Sequence, residues 1–103
     1  MRMMDFDAIH KALANPVRRQ ILGWLREPQQ YFSQQEYPLA LGVCAGLIHQ
    51  RADLSQSTVS AHLAILQRAD LIVAKRVGQW IFFSRNEATI AAFREHINTD
   101  VCG

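Results

Sequence analysis

A chain of 103 residues, half of them hydrophobic and 19% charged, has the composition of one ordinary globular domain and excludes a disordered or low-complexity protein. Two cysteines are too few for a disulfide scaffold, and no run approaches the roughly 20 apolar residues that a membrane span requires. The net charge of +2 names no partner, and a start holding Asp5 and Asp7 without a signal-peptide-length apolar run leads us to expect a cytoplasmic protein with no membrane association.

The first predicted helix runs from Asp5 to Leu13, where Phe6, Ile9 and Leu13 recur at helical spacing. Asn15-Pro16 reads as an N-cap followed by proline at the first helical position, opening a second helix with Val17, Ile21, Leu22 and Leu25 inward and Pro28 as its stop. Arg18, Arg19 and Arg26 fall off that apolar face and are expected to be available to solvent or phosphate. From Glu27 to Leu41 the chain turns polar, and Tyr31, Phe32 and Tyr37 within it are expected to tuck against the core. A short helix from Val43 to Ala52 follows, with Val43, Leu47 and Ile48 inward.

Asp53-Leu54-Ser55 supplies a turn, with Ser55 as N-cap of the most informative segment, a helix from Ser55 to Ala69. At about 3.6 residues per turn, Val59, Leu63 and Leu66 form an apolar stripe, while Ser57, Ser60, Ala61, Ala64 and Arg68 cluster opposite. A helix that lies in the major groove of DNA needs such a small, hydroxylated face, because bulky side chains would hold its backbone away from the bases. Leu71 to Val77 then reads as a strand, Gly78-Gln79 as a tight turn and Trp80 to Ser84 as the return strand. Trp80 alternates with Phe82 and is expected in the core. A last helix, Asn86 to about Asn98, carries Ile90, Phe93 and Ile97 at helical spacing.

Charge follows the same division. From Leu54 to Arg85, Arg68, Lys75, Arg76 and Arg85 stand against Asp70 alone, whereas beyond Asn86 a single Arg94 faces Glu87, Glu95 and Asp100. Positive charge gathered on the recognition segment suits a phosphate-binding surface.

These elements make a mainly α chain with a small β-hairpin, in the order α-α-α-α-β-β-α, and the whole of 1–103 reads as one winged helix-turn-helix domain. Ala12 to Leu22 (ALANPVRRQIL), Leu54 to Ile72 (LSQSTVSAHLAILQRADLI) and Lys75 to Ser84 (KRVGQWIFFS) resemble the ArsR/SmtB family of bacterial transcriptional regulators, in the family's order. The resemblance implies a homodimer built from the first and last helices, 5–13 and 86–98, bound to double-stranded operator DNA and usually repressing. Phe6, Ile9, Leu13, Ile90, Phe93 and Ile97 are more apolar than two terminal helices of so small a core require, and are the expected dimer interface.

Gln56, Ser57, Thr58, Ser60 and His62 occupy the part of the recognition helix expected to meet bases or nearby phosphates. Arg68, and Lys75, Arg76 and Gln79 on the wing, suit phosphate or minor-groove contact. Relatives that sense metal use a cysteine pair in the third helix or Asp and His on the last. Here Leu41 to Leu47 keeps Cys44 alone, and His96 stands beside Glu95 without an Asp-x-His pattern, so no metal or other cofactor is expected. Cys44 and Cys102 are expected to be a small core residue and a loose terminal thiol, with redox or soft-metal sensing as the alternative. His10, His49, His62 and His96 form no close pair and are expected at the surface. No GxSxG, phosphate-cradling loop or CxxC occurs, so no enzyme is expected. Two other readings stay open: a protein-interaction module using the loop Gln29 to Pro38, and release by an organic inducer not identifiable from the sequence.

Overall fold

The computed structural model describes residues 4–103; Met1 to Met3, part of the stretch read for a targeting signal, lie outside the described residues. Helix α1 (Phe6–Leu13) starts where Asp5 accepts the Ala8 amide at 3.0 Å. Helix α2 (Pro16–Arg26) starts with Asn15 accepting from Val17 and Arg18 at 2.8 and 3.3 Å, and Pro16 in its first turn. Both starts satisfy amides that an uncapped helix leaves open.

Pro28 ends α2 as expected, but also begins a one-turn helix α3 (Pro28–Tyr31). Phe32 after it is fully buried and Tyr31 half-buried. The exposed Arg51 lies over both, its guanidinium 4.6 Å from the Tyr31 ring and 6.0 Å from Phe32. Tyr37 departs from expectation and is 41% exposed.

A 3₁₀ turn at Leu39–Leu41 leads into a strand that the sequence reading assigned to helix: β1 (Val43–Cys44). The cause is local. Gly42 has φ +107°, and a Cβ there would stand 2.8 Å from the Phe83 carbonyl oxygen. Gln35 then grips both sides of the segment, donating to the Gly42 carbonyl at 3.0 Å and accepting the Cys44 amide at 2.8 Å. Helix α4 (Ala45–Ala52) therefore starts two residues later than expected and ends at Asp53, which is left-handed at φ 54°.

Helix α5 (Gln56–Arg68) is capped by Ser55, which accepts the Thr58 amide at 3.2 Å. Strands β2 (Ile72–Val77) and β3 (Trp80–Arg85) turn through Gly78 at φ 61°, and helix α6 (Glu87–Asp100) closes the chain with Asn86 accepting the Thr89 amide at 3.3 Å. The hairpin is thus part of a three-stranded antiparallel sheet, ordered β1-β3-β2, with Val43 opposite Phe83 and Lys75 opposite Phe82. Ile9, Ile21, Phe32, Ile48, Val59, Leu66, Leu71 and Ile72 fill the core between the helices and the sheet base. Among the described residues no helix is long and apolar enough to cross a membrane.

Trp80 corrects the reading that placed it in the core: it is 42% exposed. Alternation with the buried Phe82 gives the face it shares, but Trp80 stands beside the hairpin turn, where it meets Tyr37 with ring centroids 6.2 Å apart.

Candidate nucleic-acid interface

The packing of α5 decides what it can present. Val59, Leu63 and Leu66 are buried, and Gln56, Ser57, Thr58, Ser60 and Ala61 on its first two turns are exposed. Not all of these polar groups are equally available. The Thr58 hydroxyl lies 2.7 Å from that of Ser55 within the cap, and Ser60 Oγ lies 3.4 Å from His49 Nε2 on α4. Gln56 carries no such contact among the described residues, and it lines a cleft of about 320 Å³ with Ser60, Ala64 and Gln67 of α5, Ala45 and His49 of α4, and Ile81 and Phe83 of β3.

The wing supplies cations beside this cleft. Lys75, Arg76 and Gln79 are exposed. The register sets Arg76 opposite Ile81 and Lys75 opposite Phe82, so the two cations leave opposite faces of the hairpin. Arg76 shares the face of Ile81, which lines the cleft beside α5, and Lys75 shares the face of Trp80. Arg68 is exposed at the end of α5. Arg85 is diverted from the basic surface: its guanidinium donates twice to the Glu87 carboxylate, at 2.9 and 3.0 Å.

His62 behaves differently from the other recognition-helix residues. It is half-buried, and its Nδ1 lies 3.0 Å from Nη1 of Arg18 on α2. Burial first, and then the Arg18 charge, push its pKa below the usual histidine value. Arg18 and Arg19, expected to be available to phosphate, are both engaged: Arg18 donates to the Ala12 and Lys11 carbonyls at 2.7 and 3.2 Å, and Arg19 to the Leu13 carbonyl at 2.6 Å. These carbonyls belong to the last turn of α1, which a helix leaves short of internal partners, the Lys11 oxygen also accepting the Ala14 amide at 3.2 Å. The sequence reading missed this arrangement because Arg18 and His62 stand 44 positions apart.

The terminal helices carry the other expected surface. Phe6, Leu13, Ile90, Phe93 and Ile97 are half-buried in the single chain. Ile9 is a correction: at 0% exposure it lies inside the chain's own core and has no surface left for a partner. Two histidines take its place in the group, His96, which is half-buried, and His10, which is exposed as expected. His96 stacks on Phe6 at 3.9 Å, and His10 meets Phe93 edge-on at 5.1 Å. Their positions one turn from an aromatic on the same helix were the available signal.

Cys44, expected in the core, is only half-buried, while Cys102 is exposed, and both thiols are free. Cys44 lines a second cleft, of about 250 Å³, with Gln34, Gln35, Glu36, Tyr37 and Leu47. Among the described residues, no three His, Cys, Asp or Glu side chains are grouped to hold a metal ion.

No protein-family model matches the chain. It is 38% identical over 95 residues to the helix-turn-helix-type transcriptional regulator YbzH of Bacillus subtilis, covering 90% of this chain and 95% of that protein. Over 82 residues it is 30% identical to the transcriptional repressor SdpR of the same organism, covering 80% of this chain and 77% of that one. Its fold matches, with a TM-score of 0.62 and 26% identity over 87% of this chain and 72% of the other, the homodimeric winged helix-turn-helix DNA-binding domain of Mb0332 from Mycobacterium bovis, described as a possible ArsR-family regulator. The chain belongs to the ArsR family of winged helix-turn-helix transcriptional regulators.

Proposed function

We propose that this chain is a cytoplasmic, non-enzymatic, dimeric regulator that binds a dyad-symmetric operator and represses transcription from it, with the whole chain acting as one domain. The observation that carries the reading is α5: three apolar residues bury one side, and Gln56, Ser57, Thr58 and Ser60 stand exposed on its first turns beside the wing cations. A major-groove helix needs that division between packing and presentation. Gln56 is the side chain best suited to pair with adenine, because its amide both donates and accepts. Thr58, with its hydroxyl held by Ser55, offers its methyl to thymine. Arg68, Lys75, Arg76 and Gln79 grip the backbone or the minor groove. Phe6, Leu13, Ile90, Phe93 and Ile97 join two copies, a reading supported by the homodimeric form of the Mycobacterium bovis domain. Repression is supported by the relationship to a named repressor.

Selection of bound DNA from a random pool at fixed salt tests this. Enrichment of a palindrome with half-sites about one helical turn apart is the expected result. Absence of any enriched sequence refutes operator reading and favours a protein-interaction module. A reporter driven through the selected site should fall in output when the protein is supplied; a rise would refute repression.

A further inference from the structure

Arg18 leaves the first turn of α2 and its guanidinium is used on three sides. Nε donates to the Ala12 carbonyl at 2.7 Å, Nη2 to the Lys11 carbonyl at 3.2 Å, and Nη1 lies 3.0 Å from His62 Nδ1. The first two acceptors belong to the last turn of α1, and the third to α5. One rigid fork therefore joins the carboxyl end of the first helix to the middle of the recognition helix.

The chemistry of the third contact is one-directional. A guanidinium has no acceptor, so the hydrogen bond exists only if Nδ1 carries a lone pair, and the ring is then neutral with its proton on Nε2. Among the described residues Nε2 makes no hydrogen bond, which leaves a donor of fixed identity on α5.

We propose that Arg18 is a positioning residue for sequence discrimination: it holds His62 as an obligate Nε2–H donor and ties the setting of the recognition helix to that of α1. The inference rests on the operator-binding reading above. A donor-only His62 favours acceptors, meaning phosphate oxygens or the N7, O6 and O4 atoms of the major groove, and disfavours the amino groups of adenine and cytosine. Because α1 belongs to the proposed dimer surface and also packs directly on α5, Arg18 adds a polar link along which a change in how two copies meet reaches α5. An Arg18 that merely capped α1 would affect stability alone, and one that gripped phosphate would affect all DNA alike.

The test uses the full chain labelled with ¹⁵N and the DNA selected above. Long-range ¹H–¹⁵N spectra at pH 7.5 should show His62 of the parent as a single neutral Nε2–H tautomer, a result that needs no variant. Arg18→Met should convert it to a tautomer mixture and lower the operator-over-random preference about tenfold, the scale of one charge-assisted hydrogen bond. His62→Leu should lower it similarly, and the double variant should be no worse than either single one. A parent His62 found as the Nδ1–H tautomer or as imidazolium overturns the proposal. So do additive losses, or equal weakening on operator and random DNA. A parent that prefers no sequence overturns the operator reading itself, whereas an Arg18→Met variant that discriminates as well as the parent overturns only the present inference.

Discussion

The Phe6 ring lies flat on the His96 imidazole, with centroids 3.9 Å apart and 3° between the planes. This stack joins α1 to α6 within one chain, and the edge-on contact of His10 with Phe93 at 5.1 Å repeats the join one turn along α1. His96 Nδ1 also stands 3.2 Å from the Asp100 carboxylate, which fixes the ring on α6. The terminal helices thus form one surface before any partner arrives, and a second copy would meet a set patch rather than two loose helices.

That arrangement separates two kinds of apolar residue. Ile97 is half-buried on α6, so Ile97→Asp should turn the proposed dimer to monomer in sedimentation equilibrium while the circular dichroism of the fold persists. Ile9 is fully enclosed, so Ile9→Ala should leave the self-association of the folded protein intact but cost about 2–5 kcal/mol in urea unfolding. Unchanged mass for Ile97→Asp would place the dimer contact elsewhere.

The His62 environment gives stability a definite pH dependence. Burial, with Arg18 added, lowers its folded-state pKa from the ordinary 6.5, so the unfolded chain binds the proton more tightly. Above 6.5 neither state carries it, and below the folded value both do; stability is lost as pH falls between the two. The other titrating groups are shared with a His62→Asn variant. The urea midpoint of the parent relative to His62→Asn should therefore fall on going from pH 7.5 to 5. A difference independent of pH would show that the ring titrates as it does in the unfolded chain.

Apart from the one-turn α3, which Pro28 masked by reading only as a stop, the helices and hairpin were legible because each rests on local signals: Asn15-Pro16 and Ser55 as starts, Val59, Leu63 and Leu66 as a stripe, Gly78 as a turn. Strand β1 was not, since two residues carry no period and its pairing partner, Phe82–Phe83, lies about forty positions away. Trp80 misled because alternation specifies a face and says nothing of what covers it near a hairpin tip. Of the proposed DNA-facing set, Gln56, Ser57, Thr58 and Ser60 could be placed from helical phase alone, whereas the state of His62 depends on Arg18, a contact between helices that phase does not encode.

Gly42 is the position where backbone conformation, rather than side-chain packing, holds the sheet to the helices. Its φ of +107° is strained for any L side chain, and the Phe83 carbonyl carbon and oxygen lie at 3.0 and 2.8 Å from where a Cβ would sit. Gly42→Ala should destabilise the fold by at least about 1–3 kcal/mol in urea. Gly23, where a Cβ meets nothing within 4 Å in the middle of α2, provides the contrast: Gly23→Ala should stabilise by up to about 1 kcal/mol. Equal effects at the two sites would mean that β1 does not hold this conformation in solution.

Recognition helix and wing should separate in their dependence on salt and sequence. Arg76 lies on the hairpin face that borders the α5 cleft and offers charge without a base-specific pattern, so Arg76→Ala should weaken operator and random DNA alike and reduce the salt slope by about one. Gln56 carries no net charge and sits at the first turn of α5, so Gln56→Ala should cost about 1–3 kcal/mol on the operator, little on random DNA, and leave the slope unchanged. Titrations across a range of salt concentrations with both DNAs measure all four quantities. If Gln56→Ala lowered both affinities equally, α5 would be gripping the backbone and the bases would be read elsewhere.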